Sequence, residues 1–138
     1  MDIGPVNVTL LEDDSTINLF DLDPQYKLLL IDFWHDRCSY CIKPLTEFIA
    51  KSHSNKHSKF VACALNTGET SYQDTKDILS ELPETGDVTF TFAHEKEHIK
   101  SLFSIQTVPH CLVMERQDSN LQIIFNGHPK DFNFDKIS

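Results

Sequence analysis

Apolar residues in this chain form short unbroken runs that alternate with segments of helical periodicity. The central example is residues 27–50, KLLLIDFWHDRCSYCIKPLTEFIA, which begins with the apolar run Leu28–Ile31. A short unbroken run of this kind predicts a strand buried on both faces, here over about residues 27–34. Beyond a polar turn, apolar residues recur at helical spacing, which predicts an amphipathic helix over about residues 39–52.

The same reasoning divides the rest of the chain into further strands and helices. Strands are predicted over about residues 6–10, 16–20, 60–65, 88–92, 110–115 and 121–125, and helices over about residues 72–82 and 95–103. The first two strands form a predicted β-hairpin, and so do the last two, with Asn126-Gly127 predicted as a turn. Strands that alternate with helices indicate an α/β fold, a mixed central sheet flanked by helices. Neither a linker nor a repeat interrupts the pattern, so we expect residues 1–138 to form a single domain.

Charge and composition narrow the class of partner. The formal net charge of the 138-residue chain is −9, which argues against nucleic acid or an anionic membrane surface as the main partner. Apolar runs fall short of the roughly 20 residues that cross a bilayer. The first five residues lack the basic and apolar regions of a signal peptide, so we expect a cytoplasmic protein or, alternatively, an exported one whose leader or anchor is missing here.

Two cysteines, Cys38 and Cys41, stand where the predicted central strand gives way to a helix. The start of a helix carries unpaired N–H groups and partial positive charge, which stabilises a thiolate. A thiolate there becomes a usable nucleophile, and the Cys-x-x-Cys spacing allows a small disulfide ring. The alternative is a structural pair or half a zinc site, but zinc needs four ligands and the sequence has no second Cys-x-x-Cys. We therefore expect redox chemistry, with neither a metal nor a cofactor.

Phe33-Trp34 followed by Cys38-Ser39-Tyr40-Cys41 resembles the active-site segment of the thioredoxin superfamily. Val108-Pro109, about 70 residues further on and just before an apolar run, is similar to the family's cis-proline loop. The resemblance covers about residues 6–128 and implies a thioredoxin fold. The predicted N-terminal hairpin extension and the extra segment at 70–92 are similar to the branch that holds cytochrome-maturation thioredoxins, tryparedoxins and nucleoredoxins.

The resemblance implies roles for three residues in catalysis. Cys38, the first of the pair and expected to be the more exposed, matches the nucleophile that attacks a disulfide. Cys41 matches the resolving thiol that releases the partner. Asp32 lies six residues before Cys38 in an apolar run and matches a buried acid that assists proton transfer at the second cysteine; its alternative is a strand-end carboxylate facing water. Burial would raise the pKa of this group.

Three further residues are implied at the substrate surface. Trp34 matches the tryptophan that flanks the family's site, although a plain core aromatic would give the same pattern. Val108 is expected to offer backbone hydrogen bonds to a substrate chain, and Pro109 is expected to follow a cis peptide bond. Outside the motif, Cys63 and Cys111 lie in apolar runs and are expected to be inert core residues. Because Cys111 is close to the active-site loop, a modifiable thiol stays open as an alternative.

The sequence also departs from the family. Ser39-Tyr40 replaces the Gly-Pro or Pro-Pro usual between the cysteines, Arg37 precedes Cys38, and Pro44 predicts an early kink in the helix. The expected activity is thiol–disulfide oxidoreductase, acting as a monomer on protein disulfides with an upstream reductase or thiol donor. Two alternatives remain: a non-enzymatic adaptor that binds partners at the Pro109 groove, and a thiol peroxidase.

Overall fold

The computed structural model describes residues 5–55, 57–118 and 120–134. Within these ranges, seven strands and three α-helices follow one another along the chain. They are β1 (Asn7–Leu10), β2 (Thr16–Asn18), β3 (Leu28–Trp34), α1 (Ile42–Ser52), β4 (Ser58–Leu65), α2 (Ser71–Ser80), β5 (Val88–Ala93), α3 (Lys96–Phe103), β6 (His110–Gln117) and β7 (Asn120–Gly127). Short 3-10 helices lie at Leu19–Asp21, Ser39–Cys41 and Pro129–Asp131. None of the helices so described has the length and apolar character needed to cross a membrane.

The strands form one mixed sheet in the order β2-β1-β5-β4-β3-β6-β7. Strands β3, β4 and β5 are parallel, whereas β1, β6 and β7 pair antiparallel with their neighbours. The expected α/β fold is therefore confirmed, with β1 and β2 forming the N-terminal hairpin. The carboxyl ends of β3, β4 and β5 meet the start of β6 at one edge of the sheet, where the loops that follow these strands come together.

Each face of the sheet carries its own apolar core. On one face, Leu30 and Trp34 of β3 pack with Leu45 and Phe48 of α1, and α2 packs against the same cluster. On the other face, the intervening β3 residues pack with α3. Because β3 is covered on both faces, its sequence is a nearly continuous run of apolar residues. A polar residue inside this strand is therefore buried whichever way it points.

Three local predictions need correction. The predicted second strand ends early, because the Asn18 side chain accepts hydrogen bonds from the amides of Val6 and Phe20, and the next residues form a 3-10 turn. Asn126-Gly127 is part of β7 rather than a turn, since the pairing with β6 continues to Gly127. The predicted helix at 39–52 begins as a 3-10 turn and becomes α-helical only at Ile42.

Pro44 is the third residue of α1, within the turn whose backbone N–H groups have no acceptor inside the helix. Proline has no backbone N–H, and at this position an N–H would have no acceptor within the helix. Pro44 therefore leaves the Tyr40 carbonyl of the preceding 3-10 turn without this donor. At the other end of the chain, Phe132 and Phe134 pack onto the α1 side of the core as expected. Ile137, expected to pack with them, lies outside the described residues.

Candidate active site

The Cys-x-x-Cys segment lies directly beyond the carboxyl end of β3. Cys38 and Cys41 form a disulfide, with their Cα atoms 5.3 Å apart. The Cys38 amide donates to the His35 carbonyl at 3.2 Å, and the Cys41 amide donates to the Cys38 carbonyl at 3.1 Å. Two consecutive turns therefore bring the cysteines together, and the second turn leads into α1.

The two cysteines differ only slightly in exposure. Cys38 is 3% exposed and Cys41 is fully buried, so the first cysteine is the more accessible, as expected. Between them, the Tyr40 side chain is 70% exposed and stands out into solvent. In this disulfide state the small exposed surface of the pair therefore belongs to Cys38.

The loop before β6 covers the Cys38 side of the disulfide. The Val108–Pro109 peptide bond is cis, as the sequence resemblance implies. The Cys38 sulfur lies 3.8 Å from the Val108 carbonyl oxygen, a contact that links residues 70 positions apart. Pro109 is buried and Val108 is half-buried, so part of this loop remains open beside the sulfur.

Asp32 is the buried acid of the site. It is 1% exposed, and neither carboxyl oxygen has a hydrogen-bond partner among the described residues. Burial raises the pKa of Asp32 well above its ordinary value. Because side chains alternate along a strand, Asp32 projects to the same face as Leu30 and Trp34, and these two pack in the cluster that contains Cys41. The acid therefore lies on the dithiol side of the sheet and not at a strand end facing water.

Trp34 has a different position from the one expected of a substrate-binding residue. Its side chain is fully buried in the core on the α1 side of the sheet, together with both cysteines. It belongs to the same core cluster as the dithiol and has no exposed surface in this structure. This placement agrees with the core aromatic that the sequence also allowed.

Asp36 fastens the loop between β3 and the cysteines, a contact that sequence reasoning missed. Its carboxylate accepts hydrogen bonds from the hydroxyls of Thr67 at 2.5 Å and Ser71 at 2.6 Å, after β4 and at the start of α2. Burial opposes ionisation of Asp36, but these hydrogen bonds outweigh it and the pKa of Asp36 is lowered. No sequence signal marks the contact, because its partners are more than 30 positions away.

His35 lies between β3 and Asp36. Partial burial lowers the pKa of its imidazole, and the charges of Lys96 and Lys100 on α3 act in the same direction, against the opposing effect of Asp36. The His35 imidazole is therefore uncharged at neutral pH.

The remaining cysteines are buried, as predicted. Cys63 of β4 and Cys111 of β6 are free thiols with no exposed surface. Burial raises the pKa of Cys63 to about 12, and it also raises the pKa of Cys111 strongly. Neither is a nucleophile at neutral pH. Across residues 5–55, 57–118 and 120–134, no three His, Cys, Asp or Glu side chains are grouped so that they could hold a metal ion.

No protein-family model matches the sequence, and no curated protein matches it. The fold, in contrast, has clear structural relatives. A thioredoxin-like protein from Aeropyrum pernix aligns with a TM-score of 0.69 at 9% identity, over 96% of this chain and 84% of its own. A secreted Mycobacterium tuberculosis disulfide oxidoreductase homologous to E. coli DsbE aligns with a TM-score of 0.65 at 17% identity, over 97% of this chain and 92% of its own.

A third relative is the thioredoxin domain of a thiol-disulfide oxidoreductase from Bacteroides vulgatus. It aligns with a TM-score of 0.64 at 15% identity, over 91% of this chain and 86% of that domain. These alignments cover nearly all of this chain, and at such identities they establish the thioredoxin fold. The chemistry of this chain is then a matter of its own residues: a dithiol able to close a disulfide, with a buried acid on the same side of the sheet.

Proposed function

We propose that this protein is a thiol–disulfide oxidoreductase that exchanges disulfides with other proteins through Cys38 and Cys41. The observation that carries the proposal is the Cys38–Cys41 disulfide at the carboxyl end of β3, with one sulfur 3.8 Å from the Val108 carbonyl oxygen. A structural disulfide would not need an unpartnered buried acid on the same face of the sheet. The solved relatives named as oxidoreductases support the same activity.

The proposed reaction has two steps. In the reduced enzyme, the Cys38 thiolate attacks one sulfur of the substrate disulfide, so a mixed disulfide forms and the other substrate sulfur leaves as a thiolate that takes up a proton from water. Cys41 then attacks the Cys38 sulfur, and the second substrate sulfur leaves as a thiolate that takes up a proton from water. The substrate disulfide gains two electrons and the dithiol loses two, which leaves the enzyme as the disulfide. An external thiol reductant then restores the dithiol.

Asp32 is assigned the proton transfer of the second step. As Cys41 attacks, its proton passes to the Asp32 carboxylate, and the acid is left neutral. A neutral Asp32 fits its place in the disulfide state, because burial without a hydrogen-bond partner disfavours the charged form. The backbone of Val108, a half-buried residue, is assigned to hold the substrate chain next to Cys38, and Pro109 fixes the shape of that loop.

The test is the reduction potential of the pair, measured by equilibration in glutathione buffers with mass spectrometry as the readout. A potential near about −270 mV indicates a reductase, and one near about −120 mV indicates a disulfide-forming oxidant. We expect Cys38→Ser to abolish exchange with a protein disulfide and Cys41→Ser to trap a mixed disulfide. Cys63→Ala, in a buried thiol on the opposite face, serves as the matched control and should remain active. If the pair forms no disulfide at any potential, the adaptor function replaces this one.

A further inference from the structure

Cys111 lies directly across from Asp32 in the antiparallel pairing of β3 with β6. Side chains at paired positions of neighbouring strands project to the same face, with Cβ atoms about 5 Å apart. Both residues are buried, and Cys111 belongs to the same core cluster as Cys38 and Cys41. A third thiol therefore lies beside the buried acid, on the dithiol side of the sheet.

The other neighbours of Asp32 give its carboxyl group no polar partner. On the β4 side the paired residue is Ala62, which offers only a methyl group. Among the described residues, Cys63 of β4 and Cys111 of β6 interact electrostatically with Asp32, and burial raises the pKa of Asp32. At Cys111, across from Asp32 on β6, replacement of the sulfur by oxygen would place a strong hydrogen-bond donor on the same face as the carboxyl group.

We propose that Cys111 is a positioning residue for Asp32: it fills the position across the sheet with a group too weak a donor to stabilise a carboxylate, and so favours the protonated form of Asp32 beside the dithiol. A thiol packs like a small apolar group and donates poorly, whereas a serine or threonine hydroxyl donates well. At a Cβ separation of about 5 Å, a hydroxyl at position 111 reaches the carboxyl oxygens.

The role of Cys111 affects the second step of the proposed reaction, and to that extent it rests on the proposed function. In its ionised form Asp32 accepts the Cys41 proton, and the neutral acid that results, without a hydrogen-bond partner to favour ionisation, holds that proton firmly. A hydroxyl at position 111 would stabilise the carboxylate and weaken its hold on the proton. The midpoint of the pH dependence of Cys41 attack would then move to lower pH.

The test is a titration of the Asp32 carboxyl carbon by NMR in the full-length disulfide form, with the signal assigned by its loss in Asp32→Asn. We expect Cys111→Ser to lower the midpoint by at least about one pH unit, a tenfold drop in proton affinity. Cys111→Ala removes the sulfur without adding a donor and should leave the midpoint nearly unchanged. Cys63→Ser places a hydroxyl on the opposite face and should also leave it unchanged.

An unchanged midpoint in Cys111→Ser overturns the proposal, and so does an equal shift in Cys111→Ala. If Cys111→Ser does not fold, Cys111→Thr carries the same donor on a β-branched side chain suited to a strand. The titration needs no turnover, so its outcome is separate from that of the exchange reaction. A shifted Asp32 in a protein that exchanges no disulfides rejects the proposed function and leaves the role of Cys111 standing.

Discussion

The Ser71 hydroxyl at the start of α2 donates a 2.6 Å hydrogen bond to the Asp36 carboxylate, two residues before Cys38. The Thr67 hydroxyl donates to the same oxygen, and the Thr67 amide donates to the Ser71 hydroxyl at 3.2 Å, which joins the three residues in one small network. The loop that carries the dithiol is thereby fastened to the β4–α2 connection, a separate part of the fold. The position of Cys38 thus depends on contacts outside its own strand and helix.

We expect Asp36→Ala to reduce the free energy of unfolding by about 2 kcal/mol, because hydrogen bonds to a charged group are lost and two hydroxyls lose their acceptor. Asp36→Asn retains one acceptor oxygen and should lose about half as much. Urea unfolding at neutral pH measures both. Glu69→Ala is the matched control, since Glu69 is an exposed carboxylate in the same connection and should change stability by less than about 0.5 kcal/mol.

The same network makes the stability of the protein depend on pH in the acid range. The pKa of Asp36 in the folded protein is below its ordinary value of 3.8, so the unfolded chain binds a proton here more readily than the folded protein does. The stabilisation by Asp36 is therefore complete above about pH 5 and is lost as the pH falls through the lowered pKa. An Asp36→Ala effect that is the same at pH 7 and below pH 3 would contradict this account.

Sequence patterns located the elements that carry the dithiol because those patterns are local. The apolar run of β3 and the helical spacing after Cys41 each require burial of one continuous segment, and both elements are present. The burial of Asp32 was predictable for the same reason, since it stands inside the run. The partners of Asp36 were not, because Thr67 and Ser71 come near it only when β4 is placed beside β3.

The ends of strands also depend on contacts that a local sequence pattern does not contain. Glycine is common in turns, yet Gly127 pairs with Cys111 at the start of β6. Asn126 there donates to the Phe103 carbonyl at the end of α3, 2.9 Å away, and this contact is made only in the assembled fold. Local propensity is a weak guide where a tertiary hydrogen bond determines the conformation.

Asp32 should make the protein less stable as the pH rises. Its pKa in the folded protein is above the unfolded value, so the folded state binds the proton more tightly. The stabilisation is fully present below the unfolded pKa of 3.8 and is lost as the pH rises through the folded pKa, at up to about 1.4 kcal/mol per pH unit. We expect Asp32→Asn to remove this slope, so that the variant gains stability relative to the wild type between pH 5 and pH 8.

Chemical unfolding across that pH range, with the Cys38–Cys41 disulfide intact, measures the difference. Asp36→Asn is the matched control: it also neutralises one aspartate, but the pKa of Asp36 is lowered and its effect should be constant above pH 5. Parallel stability curves for wild type and Asp32→Asn would show that Asp32 ionises at an ordinary pKa, against its observed burial.

Arg116 of β6 holds the connection between β2 and β3. Its guanidinium donates to four backbone carbonyls, those of Phe20, Leu22, Asp23 and Tyr26, at 2.6 to 3.4 Å. We expect Arg116→Met, which keeps the length of the side chain, to lower the free energy of unfolding by about 3 kcal/mol, because several carbonyls lose a charged donor at once. Arg116→Lys should recover only part of this, since an ammonium cannot reproduce the planar fork of donors.

Thermal and urea unfolding test the role of Arg116, with Arg37→Met as the control. Arg37 is exposed, so its replacement should change stability by less than about 0.5 kcal/mol. Amide hydrogen exchange adds a local readout: protection should fall first between Phe20 and Tyr26 in Arg116→Met. A loss of protection spread evenly over the sheet would instead mean that Arg116 stabilises β6 and the sheet as a whole rather than this connection.

Phe134 closes the α1 side of the core. Its ring lies 6.3 Å from that of Phe48 in α1 and 6.4 Å from that of Phe60 in β4, and Phe132 packs against it edge-on at 5.0 Å. Because Phe134 is half-buried, we expect Phe134→Ala to lower the free energy of unfolding by about 2 kcal/mol, less than the 3–5 kcal/mol of a fully buried phenylalanine. Ile124→Ala, in an exposed side chain of the edge strand β7, should cost less than about 0.5 kcal/mol. Equal losses in the two variants would mean that the C-terminal aromatic residues add nothing specific to the core over α1.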